Sequence, residues 1–216
     1  MMSRRSIRAY AVIAGVLMAA FQLTRPWGDV AEDTAAMAEA LASPLWIVSH
    51  LSGAASFVAF ALLVDAIVRT EVASARPRAA ALGRASGIVG AALVLPYYGA
   101  ETFALHEIGR SAQAGVPVDV VTLSTDIRGN AAAVAIFGVG LLLIAVAGIC
   151  LALMCQRAGL PGWGVWPIGV LAALALPQFA LPPAGRMAYG TLFLLSAVVF
   201  AFSWARWNRA RSALVI

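Results

Sequence analysis

The chain has 216 residues, 62% of them hydrophobic and 12% charged, with a mean hydropathy of +0.89; a soluble domain carries about 45–50% apolar and about 25% charged residues, so this composition excludes a water-facing globule and specifies an integral membrane protein. All 15 basic residues are arginine, which excludes every mechanism that needs a lysine Schiff base. The formal charge of +5 sits at the ends of apolar runs, not on one basic face, which excludes a nucleic-acid partner.

Six apolar segments follow in chain order, near 9–23, 44–68, 86–106, 131–155, 163–183 and 187–205. They predict an all-α, single-domain polytopic bundle of six transmembrane helices over 1–216. Arg4, Arg5 and Arg8 precede the first segment as they would a secretory signal, but the nearest small-residue cleavage site, Ala40-Leu41-Ala42, lies too far downstream, so the segment is kept as a membrane helix. Residues 24–43 read as a turn and a short amphipathic helix with Val30, Met37, Ala38 and Leu41 as its apolar stripe. Residues 106–130 form a second such connection. The two would lie over one mouth of the bundle as a lid or run as ordinary solvated loops. Cys150 and Cys155 share one apolar run and form neither a metal pattern nor a disulfide framework. The fifth segment is dense in proline, with Pro167, Pro177, Pro182 and Pro183, which membrane helices tolerate where the freed carbonyls find partners or line a cavity.

Counted by connection, eleven arginines fall on the side of the two termini and four (Arg25, Arg110, Arg128 and Arg186) on the other. The excess of basic residues marks the cytoplasmic side, so both termini are expected in the cytoplasm of a multi-pass protein in a bacterial cell membrane. Trp27 and Trp46 near the outer surface, and Trp163, Trp166, Trp204 and Trp207 near the inner one, are placed as interfacial anchors would be.

Polar side chains at bilayer depth cost about 2.5–3.5 kcal/mol on insertion scales and mark where chemistry is to be sought. His50 lies about six residues into the second segment and Glu101 about five from the end of the third. At a rise of 1.5 Å per residue the two stand at one level and would meet across the helix interface. Glu101 follows Pro96-Tyr97-Tyr98-Gly99, in which the proline bends the helix and the glycine admits a close neighbour. Burial favours the neutral acid unless a cation stands beside it, so Glu101 reads as a proton donor or as a hydrogen-bonding partner that fixes packing. Asp65, four residues before Arg69, reads as an ordinary ion pair at a helix end or as a further proton-handling group. A bent third helix facing a bent fifth would open a pocket walled by Tyr97, Tyr98, Phe103, Phe57 and Phe179, with Gln178 beside it and Arg186 near its mouth for a polar head. His50 and His106 raise a bis-histidine haem, and with Glu101 a metal site, but His106 stands at the outer edge while His50 is deeper, and no metal-ligand spacing is present, so no cofactor or metal is expected.

The segment from Trp46 through His50-Leu51, the run Tyr98-Gly99-Ala100-Glu101-Thr102-Phe103-Ala104-Leu105-His106, and Leu176-Pro177-Gln178-Phe179 with Pro182-Pro183-Ala184-Gly185-Arg186 resemble a group of small six-helix bacterial membrane proteins, mostly without an assigned function. Size and make-up are also similar to the integral-membrane terpene cyclases of bacterial indole-sesquiterpenoid pathways. That resemblance implies an enzyme of the isomerase or lyase type acting on a lipid-soluble prenylated molecule. Glu101 would be the general acid, His50 would tune or reload it, and the aromatic wall would stabilise cations. The alternatives are a membrane binding or scaffold protein whose polar residues tie helices together, the haem protein, and a transporter, for which no internal repeat or pair of broken helices is visible.

Overall fold

The structure, a computed structural model, describes residues 4–30 and 33–213. The described residues are helical throughout, joined by short turns: α1 (Arg4–Thr24), α2 (Thr34–Ala42), α3 (Pro44–Val68), α4 (Pro77–Gly99), α5 (Leu105–Gln113), α6 (Val120–Gly129), α7 (Ala131–Arg157), α8 (Gly162–Ala173) and α9 (Pro183–Ala213). Five helical stretches are long and apolar enough to cross a membrane: Ser6–Thr24, Pro44–Val68, Pro77–Gln113, Ala131–Arg157 and Pro183–Ser212. These are the first, second, third, fourth and sixth of the expected segments. The third and sixth run further than their apolar cores because Arg78, Arg84 and Arg206 extend each helix as polar ends without breaking it.

The fifth segment departs from expectation. Its α8 has 12 residues, about 18 Å at 1.5 Å per residue, against an apolar core of about 30 Å. Pro177 is the physical reason: it has no N–H to give to the preceding turn and its ring clashes with the carbonyl four residues back. The chain leaves the helix after Ala173, turns, and makes a short 3-10 turn over Pro177–Ala180.

Small residues set the helix spacing. A Cβ on Gly90 of α4 would stand 2.8 Å from the carbonyl oxygen of Gly140 of α7, and one on Gly140 would stand 2.9 Å from that of Gly90. Gly148 of α7 and Gly169 of α8 oppose each other in the same way, at 2.9 and 2.8 Å. Such backbone-to-backbone contact is how helices associate where lipid gives no hydrophobic drive. Cys150 and Cys155 are buried free thiols in α7. Around these contacts lies one apolar core that includes Met18, Phe21, Phe60, Leu63, Val94, Leu141, Ile168 and Phe200.

At one end of the bundle α2, α5 and α6 fold over α3 and close on a second small core of Ala38, Leu41, Trp46, Leu105 and Val120. The two long connections therefore form a lid. Asp33 caps α2 through the Ala35 N–H, and Asp119 caps α6 through the Thr122 N–H and hydroxyl, so two of the three lid helices start on a carboxylate, as helix ends prefer. Those bonds hold the Asp119 carboxyl below its ordinary range. Of the expected lid stripe, Met37, Ala38 and Leu41 face the lid core, whereas Val30 is exposed.

Candidate functional site under the lid

Between α4 and α5 the chain makes one π turn, Ala100–Ala104, in which the Leu105 N–H reaches the Ala100 carbonyl. π turns carry one residue more than an α turn and recur at functional sites. This one presents Glu101 and Thr102 inward and leaves Phe103 on the outer face, 56% exposed. Phe103 therefore lines no pocket with Tyr97 and Tyr98, contrary to expectation, because the extra residue turns it away. Gly99 likewise receives no close neighbour: nothing lies within 4 Å of where its Cβ would be.

His50 of α3 faces Glu101 as the level argument requires, with Nε2 3.7 Å from Oε2. The ring is fixed from three sides. Trp46 lies along it at a centroid distance of 4.0 Å, Phe21 meets it edge-on at 5.5 Å, and Nδ1 stands 2.8 Å from the Trp46 carbonyl oxygen. A carbonyl only accepts, so Nδ1 carries a proton, and the ring turns its other nitrogen, Nε2, to the carboxyl. Neither Nε2 nor Oε2 has a hydrogen-bond partner, and both are buried. The other carboxyl oxygen, Oε1, accepts from Arg128 Nε at 3.1 Å.

Arg128 comes from the last turn of α6 and is the residue that joins lid to bundle. Its Nη2 donates to Asp29 Oδ2 at 2.9 Å, and Asp29 also accepts from Arg25 Nη2. Burial works against the Arg128 charge, but Glu101 and Asp29 outweigh it and hold the guanidinium above the ordinary arginine range. A cation thus stands beside Glu101 at the depth where its sequence neighbours place it. Trp46 is fully buried and its indole N–H donates to the Glu101 carbonyl at 2.7 Å. It is a hinge pin between α3 and the π turn, not an interfacial anchor. Trp204 is also buried, whereas Trp163 is 60% exposed.

A chamber of about 20 Å³ opens between Phe21, Arg25, His50, Tyr97, Tyr98, Glu101, Phe137 and Phe179, room for about one water molecule. Five expected site residues, His50, Tyr97, Tyr98, Glu101 and Phe179, converge on its wall. Phe57 packs behind Tyr98 at 6.1 Å. Phe137, absent from the sequence reading, stacks on Tyr97 at 4.4 Å and meets Phe179 edge-on at 5.3 Å. Gln178 accepts from Gln22 Nε2 at 3.2 Å and so pins the 3-10 turn to α1. Larger grooves of about 620 and 470 Å³ run along the outside of the helices and are lined by apolar side chains, with Tyr10 their one titratable group.

Asp65 lies away from this chamber, at the far end of α3, where its carboxyl accepts from Arg69 Nε and pairs with Arg84 Nε, each at 2.7 Å. The ion-pair reading describes it, with a second arginine added. His106 donates from Nδ1 to the Leu41 carbonyl at 2.8 Å and ties α5 to α2. The geometry gives a shared haem no support, since Nδ1 of His50 is held by the Trp46 carbonyl and its Nε2 is turned to Glu101. No group of three or more His, Cys, Asp or Glu among the described residues is arranged to hold a metal ion. Comparison with family models, curated proteins and solved structures gives no match.

Proposed function

We propose that the chain is a six-crossing protein of a bacterial plasma membrane, both termini cytoplasmic, in which α8 and the Pro177–Ala180 turn together make the fifth crossing, and that it acts by proton transfer on a lipid-soluble molecule of the isoprenoid class at the Glu101–His50 pair. One observation carries the reading: two buried polar atoms without a hydrogen-bond partner, Nε2 and Oε2, face each other at 3.7 Å on the wall of an aromatic chamber. Two facing lone pairs repel, and a single proton between them converts repulsion into a charge-assisted hydrogen bond. The pair is then a loaded acid, and Arg128 on Oε1 restricts the exchange to the other oxygen.

In the cyclisation the resemblance suggests, that proton adds to an alkene carbon using the π electrons, and the carbocation is attacked by a second double bond. The last cation eliminates a proton that returns to the pair, so the reaction is an isomerisation with no net proton change. Tyr97, Tyr98, Phe137 and Phe179 supply ring faces for the cationic stages. A chamber of about 20 Å³ admits no prenyl group, so turnover requires Phe179 to swing out on its 3-10 turn.

The test is incubation of the purified protein with prenylated acceptors and a search for a cyclised product of unchanged mass. The parent should be active and Glu101→Gln slower by about 10²-fold or more; a Glu101→Gln protein as active as the parent sinks the assignment.

A binding or scaffold role is the second reading. It is favoured by the way Arg128 ties α6, the 27–30 turn and the π turn together. On that reading Glu101→Gln and His50→Ala lower the thermal midpoint and no substrate turns over.

A further inference from the structure

Three guanidinium groups and two carboxylates gather under the lid. Arg25 and Arg128 share Asp29, and Arg128 also holds Glu101. The third cation, Arg186, has no carboxylate within ion-pair distance among the described residues, although it is only 7% exposed. Its Cζ lies over the ring of Trp27 at 5.0 Å and over that of Phe179 at 4.8 Å. Ring faces attract a cation but accept none of its in-plane hydrogen bonds. Nε and Nη2, the two atoms of the guanidinium's side edge, are buried without a partner. That edge is the one that matches two oxygens of a carboxylate or phosphate side-on.

The surroundings point the same way. Arg25 lies against the same Trp27 ring at 4.9 Å, and Arg25 Nε and Trp27 Nε1 are further buried donors without acceptors. Arg186 also stands in the first turn of α9, which has no acidic residue. A cation there is opposed by the positive end of the helix dipole, and an anion would be favoured by it. Three guanidinium groups stand against two carboxyl groups, so positive charge is in excess in the cluster, and uncompensated buried charge is what folded proteins avoid.

We propose that Arg186 is the base of an oxyanion site that takes one ionised carboxylate or phosphate group side-on, with Arg25 Nε and Trp27 Nε1 as additional donors. The group is either a free anion or the head of an amphiphile whose chain lies in the membrane. The site does not depend on proton transfer at Glu101.

The experiment is a titration of the purified protein in a nonionic detergent with inorganic phosphate, with palmitate and with methyl palmitate, followed by thermal midpoint and tryptophan emission. A saturable rise in midpoint with a change in Trp27 emission is expected from phosphate or palmitate, and none from the ester. Response to phosphate identifies a free anion, and response to palmitate alone identifies an amphiphile head; either upholds the site. Binding should weaken about tenfold or more in Arg186→Gln and by less in Arg186→Lys, which keeps the charge but not the two-atom edge. It should persist in Glu101→Gln, so that loss of turnover and loss of anion binding are told apart. No response to either anion, an equal response to methyl palmitate, or full binding by Arg186→Gln overturns the proposal. Should Arg186→Gln fail to fold, the parent protein's response to phosphate or palmitate, set against methyl palmitate, still decides.

Discussion

Trp46 shows how one side chain can hold a site without touching its reacting atoms. Its ring supports the imidazole of His50, its carbonyl fixes the imidazole's proton on Nδ1, and its indole N–H satisfies the Glu101 carbonyl. Trp46→Phe keeps most of the packing and leaves that carbonyl buried and unpaired, which costs about 1–3 kcal/mol; a denaturant titration in micelles should show it, and an unchanged midpoint would mean the bond is not made. The meeting of His50 and Glu101 was legible in the sequence because both lie within apolar runs, where helix rise alone fixes their level. Arg25, Asp29 and Arg128 were not, because they come from connections, and a search for polar groups inside the membrane passes over charges that fold back onto it. The Arg25–Asp29 spacing of four residues was the one local signal available. Trp46 departs from an interfacial place for a related reason: position along the chain sets its height in the bundle, not whether a lid covers it.

Among elements, the long helices could be read from hydropathy because each contains an unbroken apolar run, and α3 falls on the expected 44–68. The fifth segment could not, since hydropathy registers Leu176 and Phe179 as membrane-compatible and is blind to the donor that Pro177 lacks. Hydropathy is equally blind to which glycines face a neighbour. Gly90 and Gly138 look alike in the sequence, yet a Cβ on Gly90 collides with the α7 backbone while nothing lies within 4 Å of one on Gly138. Gly90→Ala should therefore force α4 and α7 apart at a cost of about 2 kcal/mol, whereas Gly138→Ala should leave the stability unchanged or raise it by at most about 1 kcal/mol through better helix propensity. Equal midpoints for the two variants would remove the case for close α4–α7 contact.

For the molecule as a whole, the distribution of arginine predicts which way the bundle sits. Cys150 and Cys155 are buried, so a single added cysteine reports its own side. Ser74 and Val116 are both exposed, at opposite ends of α4 and its continuation α5. A membrane-impermeant maleimide applied to intact cells should label Val116→Cys and spare Ser74→Cys until the membrane is opened, and the reverse pattern would invert the topology. The extra residue of the π turn has a consequence for the entire chain. An α-helix advances each side chain by about 100°, so one inserted residue shifts the angular phase of everything after it by that amount. Before Ala100, α4 is phased to the bundle through Gly90; after Ala104, α5 is phased to the lid, with Gly109 against Leu41 and Ala42. The π turn is thus a gear between two packing registers, and deleting a single residue there would set lid and bundle out of step.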